Sequence, residues 1–158
     1  MTQSPIRPNE PDYASMRLDD QFCFALYAAS RAVTSAYRVL LEPVGLTYPQ
    51  YLVMLVLWER KTVTVKDLIS ALQLEYGTLT PLIKRMETNG LITRRRRGED
   101  ERVVEVALTA EGEALRERIR CVPTTIGEAS GLTQEEIAIT RMLLRRLTAN
   151  ELAFAAAS

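Results

Sequence analysis

The apolar period of this chain changes once, at Asn89-Gly90. Before that point apolar residues recur every three or four positions. After it, "LITRR" and "RVVEVAL" alternate, with Val104, Val106 and Leu108 on one face of the second run. The first spacing marks a buried helix face and the second a half-buried strand. Between the two runs stands "RRGEDE", charged and carrying Gly98, so they form a hairpin with a charged tip. A single hairpin inside a helical chain implies a mainly α fold with a small β-hairpin wing.

The residues ahead of the hairpin supply the rest of the motif. Thr64 caps a helix over "VKDLISALQL", with Val65, Leu68, Ile69 and Leu72 inward. "EYGT" is a short connection to a second helix, "LTPLIKRMETNG", with Leu79, Leu82, Ile83 and Met86 inward. Pro81 is tolerated only in the first turn, so that helix starts near Tyr76 or Gly77. Helix, short turn, helix and basic-tipped hairpin make the order of a winged helix-turn-helix, here about 46–108.

Flanking helices complete a single domain over 18–158. Asp19 or Asp20 caps a first helix, about 18–42, that ends before Pro43. Phe22, Cys23, Leu26, Val33, Tyr37 and Leu40 give it one buried face. "VGLTYPQ" breaks it, Pro49 suits the first turn of the next helix, and "YLVMLVLWE" is apolar almost all round and therefore central. Thr109 caps a helix that runs to about Val122, before Pro123. Thr133 and Glu136 form a capping box for the last one. Residues 1–17, with Pro5, Pro8 and Pro11, read as a flexible arm.

Composition narrows the chemistry. The chain is neutral, with 20 basic and 20 acidic residues. Yet Lys84, Arg85, Arg94, Arg95, Arg96, Arg97 and Arg102 face only Glu87, Glu99, Asp100 and Glu101 in the same segment. A neutral protein with one basic segment suits a focused contact with a polyanion. On the second helix Thr78, Thr80, Lys84 and Arg85 point outward, toward base edges or phosphates, and Arg94 to Arg97 follow the backbone. There is no histidine, which removes the commonest general base and leaves a metal site short of ligands. Two cysteines, Cys23 and Cys121, argue against a disulfide scaffold and for reduced thiols in the cytoplasm. The N-terminus lacks a secretory pattern, and no apolar run is long enough to span a bilayer. No cofactor is called for.

The segments "FCFALYAASR", "LTYPQYLVMLVLWE", "GTLTPLIKRME", "GLITR" and "EDERVVEVALTAEG" resemble the MarR family of regulators, and within it the organic-hydroperoxide repressors of OhrR type. They cover most of residues 18–125 in family order. The resemblance implies a homodimeric repressor, dimerised through the helices about 18–42 and 109–155, on a palindromic double-stranded operator, with Cys23 as the thiol oxidised by organic hydroperoxide. It implies Tyr37 and Tyr48 as hydrogen-bond donors to the sulfur, with Tyr27 on the same helix face as Cys23. Gly77, Thr78 and Arg85 fall on its recognition helix, and Asp100 and Arg102 match its wing-tip pair. Tyr76 stands where the family usually carries a small polar residue, a difference that bears on base preference. Cys121 is a candidate resolving thiol, about two helical turns earlier than in two-cysteine members. A low-molecular-weight thiol is the other candidate partner for an oxidised Cys23.

Geometry adds one condition. Cys23 and Tyr37 lie on one helix, and fourteen residues at ~1.5 Å each separate them by roughly 21 Å. A Tyr37 that bonds to Cys23 must come from a second, antiparallel copy. The position of Cys23 near a helix start favours an anion, although Asp19 and Asp20 oppose this. Read alone, Cys23 is more often a small buried hydrophobe. Three other readings therefore stand beside the sensor: a repressor released by a small phenolic or other ligand, with Cys23 structural; a thiol peroxidase, disfavoured because Cys23 has no histidine partner; and a redox-blind architectural DNA-binder.

Overall fold

The computed structural model describes residues 15–97 and 100–157; of Arg97, Asp100, Glu101 and Arg102 it describes the backbone only. Most of the expected N-terminal arm, residues 1–14, and the wing tip at Gly98 and Glu99 lie outside the described residues.

A short 3-10 turn, Leu18–Asp20, leads into α1 (Phe22–Leu41), then α2 (Tyr48–Arg60), β1 (Thr62–Thr64), α3 (Val65–Leu72) and α4 (Tyr76–Thr88). After them come β2 (Ile92–Arg97), β3 (Asp100–Leu108), α5 (Ala110–Arg118), α6 (Val122–Ala129) and α7 (Gln134–Ala157). Thr47 and Gln50 form a capping box at the start of α2, with Pro49 in its first turn. Thr64 and Asp67 do the same for α3, and Thr133 with Glu136 for α7.

The core lies between α2 and the winged motif. Tyr51, Val53, Met54, Leu57 and Trp58 of α2 meet Leu68 of α3, Leu79, Ile83 and Met86 of α4, Val106 of β3 and Leu115 of α5. Each such side chain contributes about 1.5–3 kcal/mol on burial. Gly90, at φ +73°, lets the chain leave α4 and enter β2 directly.

The expected β-hairpin wing is present, joined by a strand the sequence did not announce, and several expectations about the helices are corrected. The wing is one part of a three-stranded antiparallel sheet of order β1-β3-β2, in which Val63 pairs with Val106 and Arg94 with Val106 from the other side. The helix expected from Thr109 to about Val122 ends at Arg118, and a separate helix, α6, starts at Val122 with Pro123 in its first turn. Neither Asp19 nor Asp20 caps α1, whose N-cap is Gln21 without a side-chain bond. Pro81 is the sixth residue of α4, beyond the first turn. The apolar face of α1 is only half covered: Tyr37 and Leu40 pack on the core, whereas Phe22, Cys23, Leu26 and Val33 are exposed.

α7 runs for 24 residues with none buried, and carries Ile139, Met142, Leu143, Leu144 and Leu152 in the open. Among the described residues no single helix is long and apolar enough to cross a membrane. The one pair of helical segments that qualifies together, Phe22–Val44 and Tyr48–Arg60, is bent by 72°.

Candidate nucleic-acid interface and thiol site

At ~100° per residue, α4 turns Leu79, Ile83 and Met86 into the core and leaves Gly77, Thr78, Pro81, Lys84 and Arg85 exposed on the opposite side. Tyr76, the first residue of the helix, is also exposed. Thr80 departs from expectation: it is half-buried, and its hydroxyl donates to the Tyr76 carbonyl at 2.9 Å. Gly and Pro in a helix interior cost about 1 and about 3 kcal/mol relative to alanine. Gly77 and Pro81 therefore weaken α4 on its exposed side.

The basic run is not uniform. Arg94 shares a strand face with Ile92 and turns toward α4. There its Nε donates to Glu87 Oε2 at 2.7 Å, its backbone N–H donates to Oε1 at 3.0 Å, and its guanidinium closes the pair at 2.6 Å. These hydrogen bonds hold the Glu87 carboxyl below the ordinary carboxylate range. Arg94 thus fastens the wing to α4. Arg95 and Arg96 are exposed. A register shift between Arg96 and Arg97 bends the strand just before the tip. The side chains of Arg97, Asp100 and Arg102 lie outside the described residues.

The thiol lies at the other end of the molecule's first helix. Cys23 is the second residue of α1 and is exposed, among exposed Phe22, Phe24, Leu26 and Tyr27. Arg31 donates to the Tyr27 hydroxyl at 2.9 Å and lies 5.6 Å from its ring centre. Because α1 is one continuous helix, Tyr37 stands roughly 21 Å from Cys23 along it, and the two do not meet within a protomer.

Tyr37 and Tyr48 do meet each other, with ring centres 4.4 Å apart. Tyr51 joins them at 5.6 Å from Tyr37 and leans edge-on against Trp58 at 6.3 Å. Trp58 Nε1 in turn donates to the Gly112 carbonyl at 2.9 Å, on α5. Burial raises all three phenol pKa values, and neighbouring phenols add to the rise at Tyr37 and Tyr51; Tyr51 is pushed up to about 12. Near neutral pH the cluster is therefore a set of neutral O–H donors. Sequence reasoning missed Tyr51, although its spacing of three from Tyr48 placed both on one helix face. It also missed Glu87, whose link to Arg94 spans a turn that no periodicity reveals. Cys121 is exposed at the N-cap of α6.

A family model described as the transcriptional regulators SarA/Rot matches residues 35–119, the span from the last two turns of α1 through the wing and α5. The organic hydroperoxide resistance transcriptional regulator of Bacillus subtilis (strain 168) is 48% identical over 128 residues, 81% of this chain and 87% of that protein. This chain belongs to the SarA/Rot family of transcriptional regulators. Its winged helix-turn-helix is the DNA-binding fold of that family. AbfR of Staphylococcus epidermidis, in its reduced form bound to DNA, is 34% identical, with a TM-score of 0.76 over 90% of this chain and 97% of that one. Disulfide-formed AbfR, also 34% identical, gives 0.59 over 88% and 92%. The fold of this regulator thus superposes better on the reduced, DNA-bound form than on the disulfide form.

Proposed function

We propose that this regulator is a homodimeric repressor that holds a palindromic operator when Cys23 is reduced and releases it when organic hydroperoxide oxidises Cys23. The observation that carries the reading is the split of the thiol and its phenols between opposite ends of α1. An antiparallel pair of α1 helices places each Cys23 against the partner's tyrosine cluster. It also covers Phe22, Phe24 and Leu26, which the protomer leaves exposed. The names of the Bacillus subtilis relative and of the reduced and disulfide forms of AbfR support the same reading.

In the chemistry, the Cys23 sulfur attacks the terminal peroxide oxygen. An S–O bond forms, the O–O bond breaks, and the alkoxide takes a proton and leaves as an alcohol. Sulfur is oxidised to sulfenic acid and the peroxide is reduced. A second thiol, from Cys121 or a low-molecular-weight thiol, then forms a disulfide and expels water. Apolar Phe22, Phe24 and Leu26 favour an organic peroxide over hydrogen peroxide. Growth at the sulfur displaces the phenols from the shared seam. The reading helices, which must sit about 34 Å apart on one DNA face, then lose register. The contacts of Arg85, Arg95 and Arg96 go with them. The protein acts in the cytoplasm as a regulator and not as an enzyme.

The test is operator binding with and without cumene hydroperoxide, for wild type and Cys23→Ser. Wild type releases and Cys23→Ser does not; equal release by both removes Cys23 from the mechanism. A second reading, release by a small ligand, is supported by a cleft of about 430 Å³ between α1 and the start of α2. Thr34, Ser35, Arg38, Thr47 and Tyr48 line it. Release of Cys23→Ser by a phenolic acid such as 4-hydroxybenzoate would favour that reading.

A further inference from the structure

Gly77, the second residue of α4, and Pro81, one turn farther on, lie on its exposed face. The fold asks for neither. Gly77 has no left-handed backbone angle, and a Cβ built there meets nothing within 4 Å. Pro81 has no N–H to give the Gly77 carbonyl. Both weaken the helix without a return inside the chain. Their common effect is a bare strip of backbone along which another molecule can approach closely.

Tyr76 stands at the leading end of that strip. It is 65% exposed. Among the described residues its ring stacks on no aromatic and its hydroxyl has no partner. Glu75 holds the N-cap, so Tyr76 is not needed to start the helix. In helix-turn-helix proteins the N-terminal residues of the reading helix reach base edges in the major groove. The one apolar group displayed there is the C5 methyl of thymine. An exposed aromatic ring gains by covering it.

We propose that Tyr76 is a specificity-determining residue whose ring lies on a thymine methyl group when the Gly77–Pro81 strip seats in the major groove. The inference rests on the DNA-binding reading above. Lys84 and Arg85, farther along the exposed face, then hold phosphates or a guanine edge, while Tyr76 fixes the base at the outer end of each half-site.

The experiment starts from a duplex that wild-type protein selects out of a randomised pool. Each thymine is then replaced singly by deoxyuridine, which removes only the methyl group. Wild type is expected to lose about fourfold in affinity at one position per half-site, the worth of one buried methyl. Tyr76→Phe keeps that positional sensitivity, because the ring and not the hydroxyl makes the contact. Tyr76→Ser binds more weakly and becomes indifferent to the same replacement. Sensitivity retained by Tyr76→Ser, or absent from wild type, overturns the proposal. So does a uniform loss in Tyr76→Phe without positional sensitivity, which would assign the phenol to a phosphate. A wild-type protein that enriches no duplex overturns the DNA-binding reading itself, and this inference with it.

Discussion

Arg94 sits on the same strand face as Ile92, so its guanidinium turns inward and meets Glu87. Four consecutive arginines, Arg94 to Arg97, look equivalent in sequence; the fold makes Arg94 a fastener and leaves Arg95 and Arg96 exposed. Glu87 carries the consequence for pH. Its folded-state pKa lies below the ordinary 4.5, so the pair stabilises the fold above that value. The contribution fades as pH falls through the lowered value. Glu87→Gln should therefore lose about 1 kcal/mol at pH 7, the range of a partly screened pair. Urea titrations should show the gap closing below pH 4.5. A gap of the same size at acid pH would mean that the charge is irrelevant. The same scale shows what a sequence conveys and what it hides. Outward Thr78, Lys84 and Arg85 were legible from helical spacing alone. The Thr80 hydroxyl and the Arg94 guanidinium were not, because each is claimed by a neighbour that spacing does not reveal.

Between elements, the tightest joint is at the start of α5. Thr109 caps that helix and donates to the Gly90 carbonyl at 2.6 Å. Gly112 packs against the Leu91 backbone and accepts the indole N–H of Trp58 at 2.9 Å. One short stretch therefore binds α5 to the end of α4 and to α2. A Cβ at Gly112 would collide with the Leu91 carbonyl oxygen, which cannot swing away as a flexible side chain can. Gly112→Ala should cost about 1–3 kcal/mol, as overpacked sites do. Chemical denaturation measures it, and an unchanged midpoint would show that the joint yields freely. Most helices and the hairpin were readable from their apolar period and their stops, and α3, α5 and α7 from their threonine caps as well. β1 was not, since three residues are too few to display alternation. α6 was hidden by Pro123, which ends helices before it but also starts them.

For the whole molecule, the governing fact is surface left uncovered. Phe22, Phe24 and Leu26 on α1 and Ile139, Met142 and Leu143 on α7 are exposed in the protomer. A cleft of about 750 Å³ opens between α6 and α7, lined by Ile126, Ile137, Leu144 and Leu152 among others. A second protomer would cover these apolar faces. Met142 is 60% exposed, so Met142→Asp should scarcely change an isolated protomer yet should drive the dimer apart. Sedimentation velocity distinguishes the two; an intact dimer would take α7 out of the interface. A linear sequence could place Cys23 and Tyr37 on one helix and show that they are too far apart to touch. What covers α1 belongs to the assembly, which one chain's sequence does not spell out.

The central claim is that each sulfur answers to the other protomer's phenols, and mixed dimers test it most directly. In one mixed dimer, Cys23→Ser is on one protomer and Tyr37→Phe on the other, so the surviving cysteine faces the partner's intact Tyr37. In the second, both substitutions share one protomer, and the surviving cysteine faces phenylalanine. The rate of sulfenic acid formation with cumene hydroperoxide should match wild type in the first. It should be about tenfold slower in the second, the worth of one charge-assisted hydrogen bond. Equal rates, or the reverse order, would contradict the account.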